Sequence, residues 1–202
     1  MMEAYDDEAQ ATGWHGPEVA FGLAYRYLEP GQSILDIGIG TGLGSALFRQ
    51  AGLTVHGMDL SPEMLDACRL KGFTELQAHD LTVTPYPYQA ESMDHVVCVG
   101  VLPFFEDLAP VFSEAARILR KGGLFVFAVS DRAEDEAPDF QVGPEHTKTD
   151  YWLTMYRHSA GQIGGWLERF GFTLLSSLPF TAYMDRGRTE SFPSKAYLAQ
   201  RG

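Results

Sequence analysis

The chain has 202 residues, a net charge of −12, 45% hydrophobic and 21% charged residues, which suits one packed α/β domain with at most a small lid or cap. Its acidic surface repels phosphate backbones, arguing against a broad nucleic-acid or anionic-membrane footprint. No stretch approaches the roughly 20 continuous apolar residues of a membrane span, and residues 1–10 lack the basic start and apolar run of a signal peptide, so a cytoplasmic protein with Cys68 and Cys98 as reduced, buried thiols is expected.

Pro17 to Leu28 carries apolar side chains at helical spacing, and Glu29-Pro30-Gly31-Gln32 breaks that helix. Ile34-Leu35-Asp36-Ile37 is a short apolar run ending in glycines, as a buried parallel strand does. A helix is expected from Leu43 to Ala51, a strand from Leu53 to Met58, and a helix opened by Ser61-Pro62-Glu63 and stopped at Gly72. Thr74 to Ala78 and Met93 to Val99 read as further strands. Leu108 to Leu119 is helical, and Arg120-Lys121-Gly122-Gly123 turns into a strand over Leu124 to Val129. This alternation predicts a Rossmann-like, doubly wound, mainly parallel sheet with helices on both faces. Asp131 to Asp150 is polar, acidic and without period, and is read as a loop or lid, with disorder as the alternative. Ser159 to Phe170 is a capped helix. Phe172 to Phe180 and Ser191 to Gln200 are two strands with no helix between them, hence antiparallel. The whole chain, 1–202, is taken as one domain, with 1–16 as an N-terminal cover and 131–158 as a lid or substrate-side insertion.

The strongest local signal is Asp36-Ile37-Gly38-Ile39-Gly40-Thr41-Gly42-Leu43-Gly44, placed between the first strand and its helix. Glycines there permit a tight turn and close approach of a ligand to the main chain near a helix start. The dinucleotide fingerprint G-x-G-x-x-G fails, because its third glycine position falls on Leu43. Asp36 would repel a pyrophosphate and welcome an ammonium group. Asp59, ending the second strand, is placed to accept both hydroxyls of a ribose. Asp80 could accept from an adenine amino group while Leu81 packs on the ring; a cap or turn role is the competing reading for Asp80.

With these residues in place, Ser33 to Ser130 resembles the class I S-adenosylmethionine (SAM)-dependent methyltransferases. Ile34 to Gly42 looks like that family's first motif and Asp59-Leu60-Ser61-Pro62-Glu63-Met64-Leu65 like its second. The resemblance implies that Asp59 holds ribose while Leu60 and Met64 flank adenine. Asp80-Leu81 stands where the third motif would, Ser92 to Leu102 looks like the fourth-strand segment lining the methionine end, Val99 included, and Arg117 to Phe125 resembles the turn before the last parallel strand. The family's sheet has seven strands and a reversed C-terminal one. Within it, Gly57 to Leu65 is similar to the small methyltransferase-like proteins of the Williams–Beuren region type.

The resemblance implies methyl transfer from SAM, leaving S-adenosylhomocysteine, to O, N or C of a small-molecule acceptor, with no metal. The Asn/Asp-Pro-Pro-Tyr/Phe motif of amino-methylating relatives is replaced by Val99-Gly100-Val101-Leu102, which argues against adenine, cytosine-amino or glutamine acceptors. Tyr5 is placed near the methionine carboxylate, against a frayed terminus. No catalytic residue is assigned; His146, His158 and Tyr183 are the candidates, each weighed against ordinary packing, and His56 and His95 read as structural. Arg186 and Arg188 form a thin basic patch, and Arg188 could bind an anion. A non-catalytic SAM-binding sensor or partner subunit is the alternative, with an NAD(P)-dependent oxidoreductase behind it.

Overall fold

Ser33–Ile37, Met93–Cys98 and the middle of Leu119–Arg132 are buried along almost their whole length. A strand does this only when helices cover both faces of its sheet. The computed structural model describes residues 6–7, 9, 11–143, 150, 152–184 and 191–202. Its elements are α1 (Gly16–Ala24), β1 (Ser33–Ile37), α2 (Ala46–Gln50), β2 (Thr54–Asp59), α3 (Pro62–Leu70), β3 (Glu75–Ala78), β4 (Met93–Cys98), α4 (Ala109–Ile118), β5 (Leu119–Arg132), β6 (Asp139–Val142), β7 (Leu153–Ser159), α5 (Ala160–Arg169), β8 (Phe172–Met184) and β9 (Ser191–Arg201).

The sheet runs β3-β2-β1-β4-β5 with every pair parallel. Beyond β5, β9 is antiparallel to both β5 and β8. The expected seven strands are therefore present in the order 3-2-1-4-5-9-8, with β9 the reversed one. Alternation along β5 divides the core. Phe125, Phe127 and Val129 join Phe112 and Ile163 of α4 and α5 on one face. Leu124, Val126 and Ala128 join Ala20, Phe48 and Leu65 of α1, α2 and α3 on the other. Cys68 and Cys98 are buried and unbridged, as expected.

Three stretches differ from the sequence reading. The residues 120–123, expected as a turn, lie inside β5, but the register jumps from Met93↔Leu119 to His95↔Leu124, so the extra residues bulge out, with Gly122 at φ +79°. The polar segment after Asp131 is not wholly loop. β5 continues to Arg132, and β6 and β7 form an antiparallel pair attached to the end of β5 through Ser130↔Arg157. Its pairing comes from partners distant in sequence, which a local period cannot show. The helix expected over 43–51 is short, because the glycine turn consumes its first residues.

The chain proceeds from β1 outward through β2 and β3, then returns to β4 on the other side of β1. The carboxyl ends of β1 and β4 thus flank the point where the winding direction reverses, which is where open α/β sheets bind their ligands.

Candidate cofactor and acceptor site

Directly after β1 the amides of Gly38 and Ile39 both donate to the carbonyl of Met58, at 2.8 and 3.0 Å, and the Gly42 amide donates to the Ile39 carbonyl at 2.8 Å. Gly38, Gly40 and Gly42 all have left-handed backbones, φ +75°, +53° and +88°. A Cβ on Gly38 would lie 2.3 Å from Val101 Cγ2, and one on Gly42 would lie 2.6 Å from Phe73 Cε2. On Gly40 it would meet nothing within 4 Å. The first and third glycines are therefore required by packing inside the protein, whereas the middle one faces open space.

Asp59 at the end of β2 fastens this loop. Its Oδ2 accepts from the Gly40 amide at 2.8 Å and its Oδ1 from the Ser61 amide at 2.9 Å. Ser61 in turn caps α3 by accepting from the Met64 amide at 3.2 Å. Met64 is half-buried, while Leu60 beside it is 67% exposed, a large apolar side chain left facing outward. Asp36 lies beneath the loop, 2% exposed, and accepts from the Ser45 hydroxyl. Burial pushes its carboxyl up to about 7, against the lowering effect of Ser45 and with a further push from Asp59.

After β3, the His79 amide donates to the Asp59 carbonyl at 3.0 Å, so Asp80 and Leu81 follow immediately beside the second strand's end. Asp80 Oδ1 accepts from the Thr82 amide and hydroxyl at 2.9 and 2.8 Å, the turn role weighed for it above. Those bonds hold its carboxyl below the usual range. Leu81 is buried, and its carbonyl accepts from the Tyr86 hydroxyl at 3.1 Å. The partly buried Glu114–Arg117 pair secures the strap behind it through the Tyr86 amide and the Tyr86 and Tyr88 carbonyls.

The N-terminal segment reaches this edge. Asp6 accepts from the Thr41 hydroxyl at 2.7 Å and pairs with Lys71, joining the segment to the glycine loop and to the end of α3. Trp14 lies against Gly100, where a Cβ would come within 2.9 Å of its ring, and buried Val99 precedes that contact. The His15 amide donates to the Ala182 carbonyl at 3.0 Å, tying the segment to the end of β8.

Asp36, the three glycines, Asp59, Leu60, Met64 and Val99 thus gather on the carboxyl ends of β1, β2 and β4. The described histidine and tyrosine candidates lie away from those three strand ends. His158 is 2% exposed, with Nε2 3.1 Å from the Phe105 carbonyl and its ring edge-on to Trp166; burial lowers its pKa, so it is a neutral histidine behind the segment following β4. Tyr183 stacks on Phe192 with ring centroids 4.3 Å apart, and burial raises its hydroxyl pKa. His95 is buried against Gln32 at 2.8 Å, and His56 meets Tyr88 edge-on. Tyr5, His146, Arg186 and Arg188 lie outside the described residues. No group of His, Cys, Asp or Glu among the described residues could hold a metal, and no described helix is long and apolar enough to cross a membrane.

A cavity of about 490 Å³ opens where β5, the β6–β7 pair and the start of β9 meet, with Ser130, Phe140, Trp152, Arg157 and Phe192 in its wall. Trp152 belongs to the aromatic-rich stretch 151–156 that the sequence shows between His146 and His158; the other four carry no local signal, because the strand pairings that assemble them join distant positions. Asp6 and Ser45 were also missed; serine and aspartate are too common at loop ends to stand out.

Residues 35–127 match the family model of a methyltransferase domain. The chain is 25% identical over 189 residues to a ubiquinone biosynthesis O-methyltransferase of Xanthomonas campestris pv. campestris, covering 88% of this chain and 78% of that one. A SAM-dependent methyltransferase of Methanosarcina mazei superposes with a TM-score of 0.74 at 17% identity, covering 89% of this chain and 96% of the other. Magnesium protoporphyrin IX methyltransferase of Synechocystis, solved with bound S-adenosylhomocysteine, superposes with 0.66 at 20% identity over 92% and 80% of the two chains. The chain therefore shares the fold of these solved methyltransferases, and residues 35–127 within it match a methyltransferase domain.

Proposed function

We propose that the edge built by β1, β2 and β4 binds SAM and presents its methyl group to a small-molecule acceptor entering from the side of β5 and β9. The observation that carries this reading is the left-handed glycine loop fastened to the Asp59 carboxylate, with open space over Gly40 and exposed Leu60 beside it. That cradle fits a nucleoside: each Asp59 oxygen has accepted one backbone amide and keeps a lone pair for a ribose hydroxyl. Leu60 and Met64 offer an apolar bed for adenine, with Asp80 and Leu81 at its rim and Val99 toward the amino-acid end. Asp36 supplies negative charge beneath Gly38 to Gly42, favourable to an ammonium group and hostile to a pyrophosphate.

When bound, SAM supplies an electrophilic methyl group on a sulfonium, leaving S-adenosylhomocysteine as product. The chain's task is to hold an acceptor nucleophile in line and to exclude water. Asp6, Trp14 and His15 cover the site, and β6 and β7 border the acceptor side. Among the described residues no general base is placed against the loop: His158 is engaged with a carbonyl and Tyr183 with Phe192. This favours an acceptor that is itself nucleophilic or loses its proton readily. Placement beside the Williams–Beuren-type proteins is supported in part by Gly57 to Leu65.

The test is a methyl-transfer assay with labelled SAM over oxygen, nitrogen and carbon nucleophiles, scored by S-adenosylhomocysteine formation. Turnover on a small acceptor is expected. Tight SAM binding with no product on any acceptor class would instead favour a non-catalytic sensor or partner subunit.

A further inference from the structure

The cavity between β5, β6, β7 and β9 is assembled by register. Ser130 of β5 pairs with Arg157 of β7 and with Ser194 of β9, so the three side chains stand on one face of the sheet. Phe140 of β6 pairs with Met155, two residues from Arg157 on the same face, and the Arg157 guanidinium lies over the Phe140 ring, 4.3 Å from its centroid. Trp152 is 63% exposed and, with Phe192, supplies aromatic surface to the wall. Phe192 is itself stacked on Tyr183.

Arg157 is the unusual member. Among the described residues its guanidinium has no hydrogen-bond or carboxylate partner, although the chain holds 27 acidic residues against 15 basic ones. Of the arginines on neighbouring elements, Arg117, Arg120 and Arg201 are each paired with an acid, and Arg132 at the end of β5 donates to three backbone carbonyls and to Gln162. Contact with an aromatic face occupies the flat side of a guanidinium and leaves its N–H edge available for a bidentate acceptor. A half-buried, unpaired guanidinium held in this way is an anion receptor set in an aromatic wall.

The cavity also lies on the acceptor side of the proposed cofactor edge. Cys98 at the end of β4 pairs with Phe127, so Ser130 is one strand over and further toward the carboxyl ends. It shares a sheet face with the Val97, Val99 and Ala128 cluster. Tyr183 and Phe192, Ala182 and His15, and Trp14 and Gly100 form successive contacts from the cavity back to the segment after β4.

We infer that this cavity binds the acceptor, and that the acceptor class is a planar aromatic or conjugated compound carrying a carboxylate, its ring against Phe140, Trp152 and Phe192 and its carboxylate on Arg157. This rests on the SAM-dependent reading above and names the substrate class for it. A volume of about 490 Å³ lies in the range of small-molecule sites and accommodates a two-ring compound.

Binding of 2-naphthoate and 2-naphthamide, which share a ring system and differ in charge, is measured by calorimetry on the full chain saturated with S-adenosylhomocysteine. The carboxylate should bind about 10- to 100-fold more tightly than the amide. Arg157→Gln should reduce that preference to about threefold or less, while S-adenosylhomocysteine affinity stays unchanged and reports that the variant is folded. Phe140→Leu should weaken both probes and keep the carboxylate preference. Absence of naphthoate binding, equal affinity for the two probes, or a preference that survives in Arg157→Gln would overturn the assignment. Failure of S-adenosylhomocysteine itself to bind wild type would instead defeat the cofactor reading on which it rests.

Discussion

The carboxyl ends of β1 and β2 and the corner where β5 meets β7 and β9 serve one proposed reaction, yet they are built differently. At the first, the backbone makes the shape: three left-handed glycines, amides bonded to Met58 and Asp59, and a carboxyl buried beneath them. At the second, side chains from strands distant in sequence make the walls, and the backbone supplies only strand pairing. A backbone-shaped site tolerates few residue types at each position, because sterics and φ select glycine and a fixed acceptor selects aspartate. A side-chain-shaped pocket can be formed from many residue sets, which lets one scaffold take different acceptors.

The comparison is broken most forcefully at the packed glycines. Gly42→Ala places a Cβ 2.6 Å from Phe73 in a backbone at φ +88°, and should cost about 2–5 kcal/mol of stability by denaturant unfolding, from strain and overpacking together. A cost below ~1 kcal/mol would mean the loop relaxes freely and is not fixed by the backbone. Asp59→Ala removes the acceptor of the Gly40 and Ser61 amides as well as the proposed ribose contact. It should weaken SAM binding by about 2–4 kcal/mol in calorimetric titration. Unchanged affinity would place the nucleoside elsewhere.

A smaller effect comes from Asp36, whose carboxyl burial raises to about 7 from 3.8. With the folded pKa above the unfolded one, its contribution to stability is full below pH about 4 and is lost as pH rises toward 7. An ammonium group brought near would favour the ionised form, so SAM should bind with proton release and lose up to roughly tenfold in affinity per unit as pH falls below about 7. Asp36→Asn should flatten both dependences attributable to this group; titrations across that range with the variant unchanged from wild type would remove Asp36 from the account. Gly40→Ala separates structure from ligand. Nothing in the protein lies within 4 Å of its new Cβ, so stability should fall by only about 1 kcal/mol from the left-handed backbone, while SAM affinity should fall by more. At the other region, Trp152→Ala should change stability by less than about 0.5 kcal/mol, since the side chain is exposed, and leave SAM binding unaltered.

The same contrast explains what the sequence disclosed. The strand ends at Asp36 and Asp59, the cap at Ser61 and the capped helix starting at Ser159 were legible because turn chemistry and strand–helix alternation are local. The role of Asp6 was not legible, since its partners Thr41 and Lys71 are distant in the chain and many acids lie near the N-terminus. The strands within 131–158 escaped because β6 owes its pairing to β7, and β7 to the last residues of β5, against a polar composition that reads as loop. Arg157 escaped for a related reason: a solitary arginine following the aromatic-rich stretch 151–156 has the pattern of a solvated surface residue until register sets it over Phe140.

The central claim is the identity of the ligand over Gly40 and Asp59, and parallel calorimetric titrations with SAM, S-adenosylhomocysteine and NADH address it most directly. The account predicts binding of the first two and none of NADH. Binding of NADH alone, or of none of the three, would contradict it.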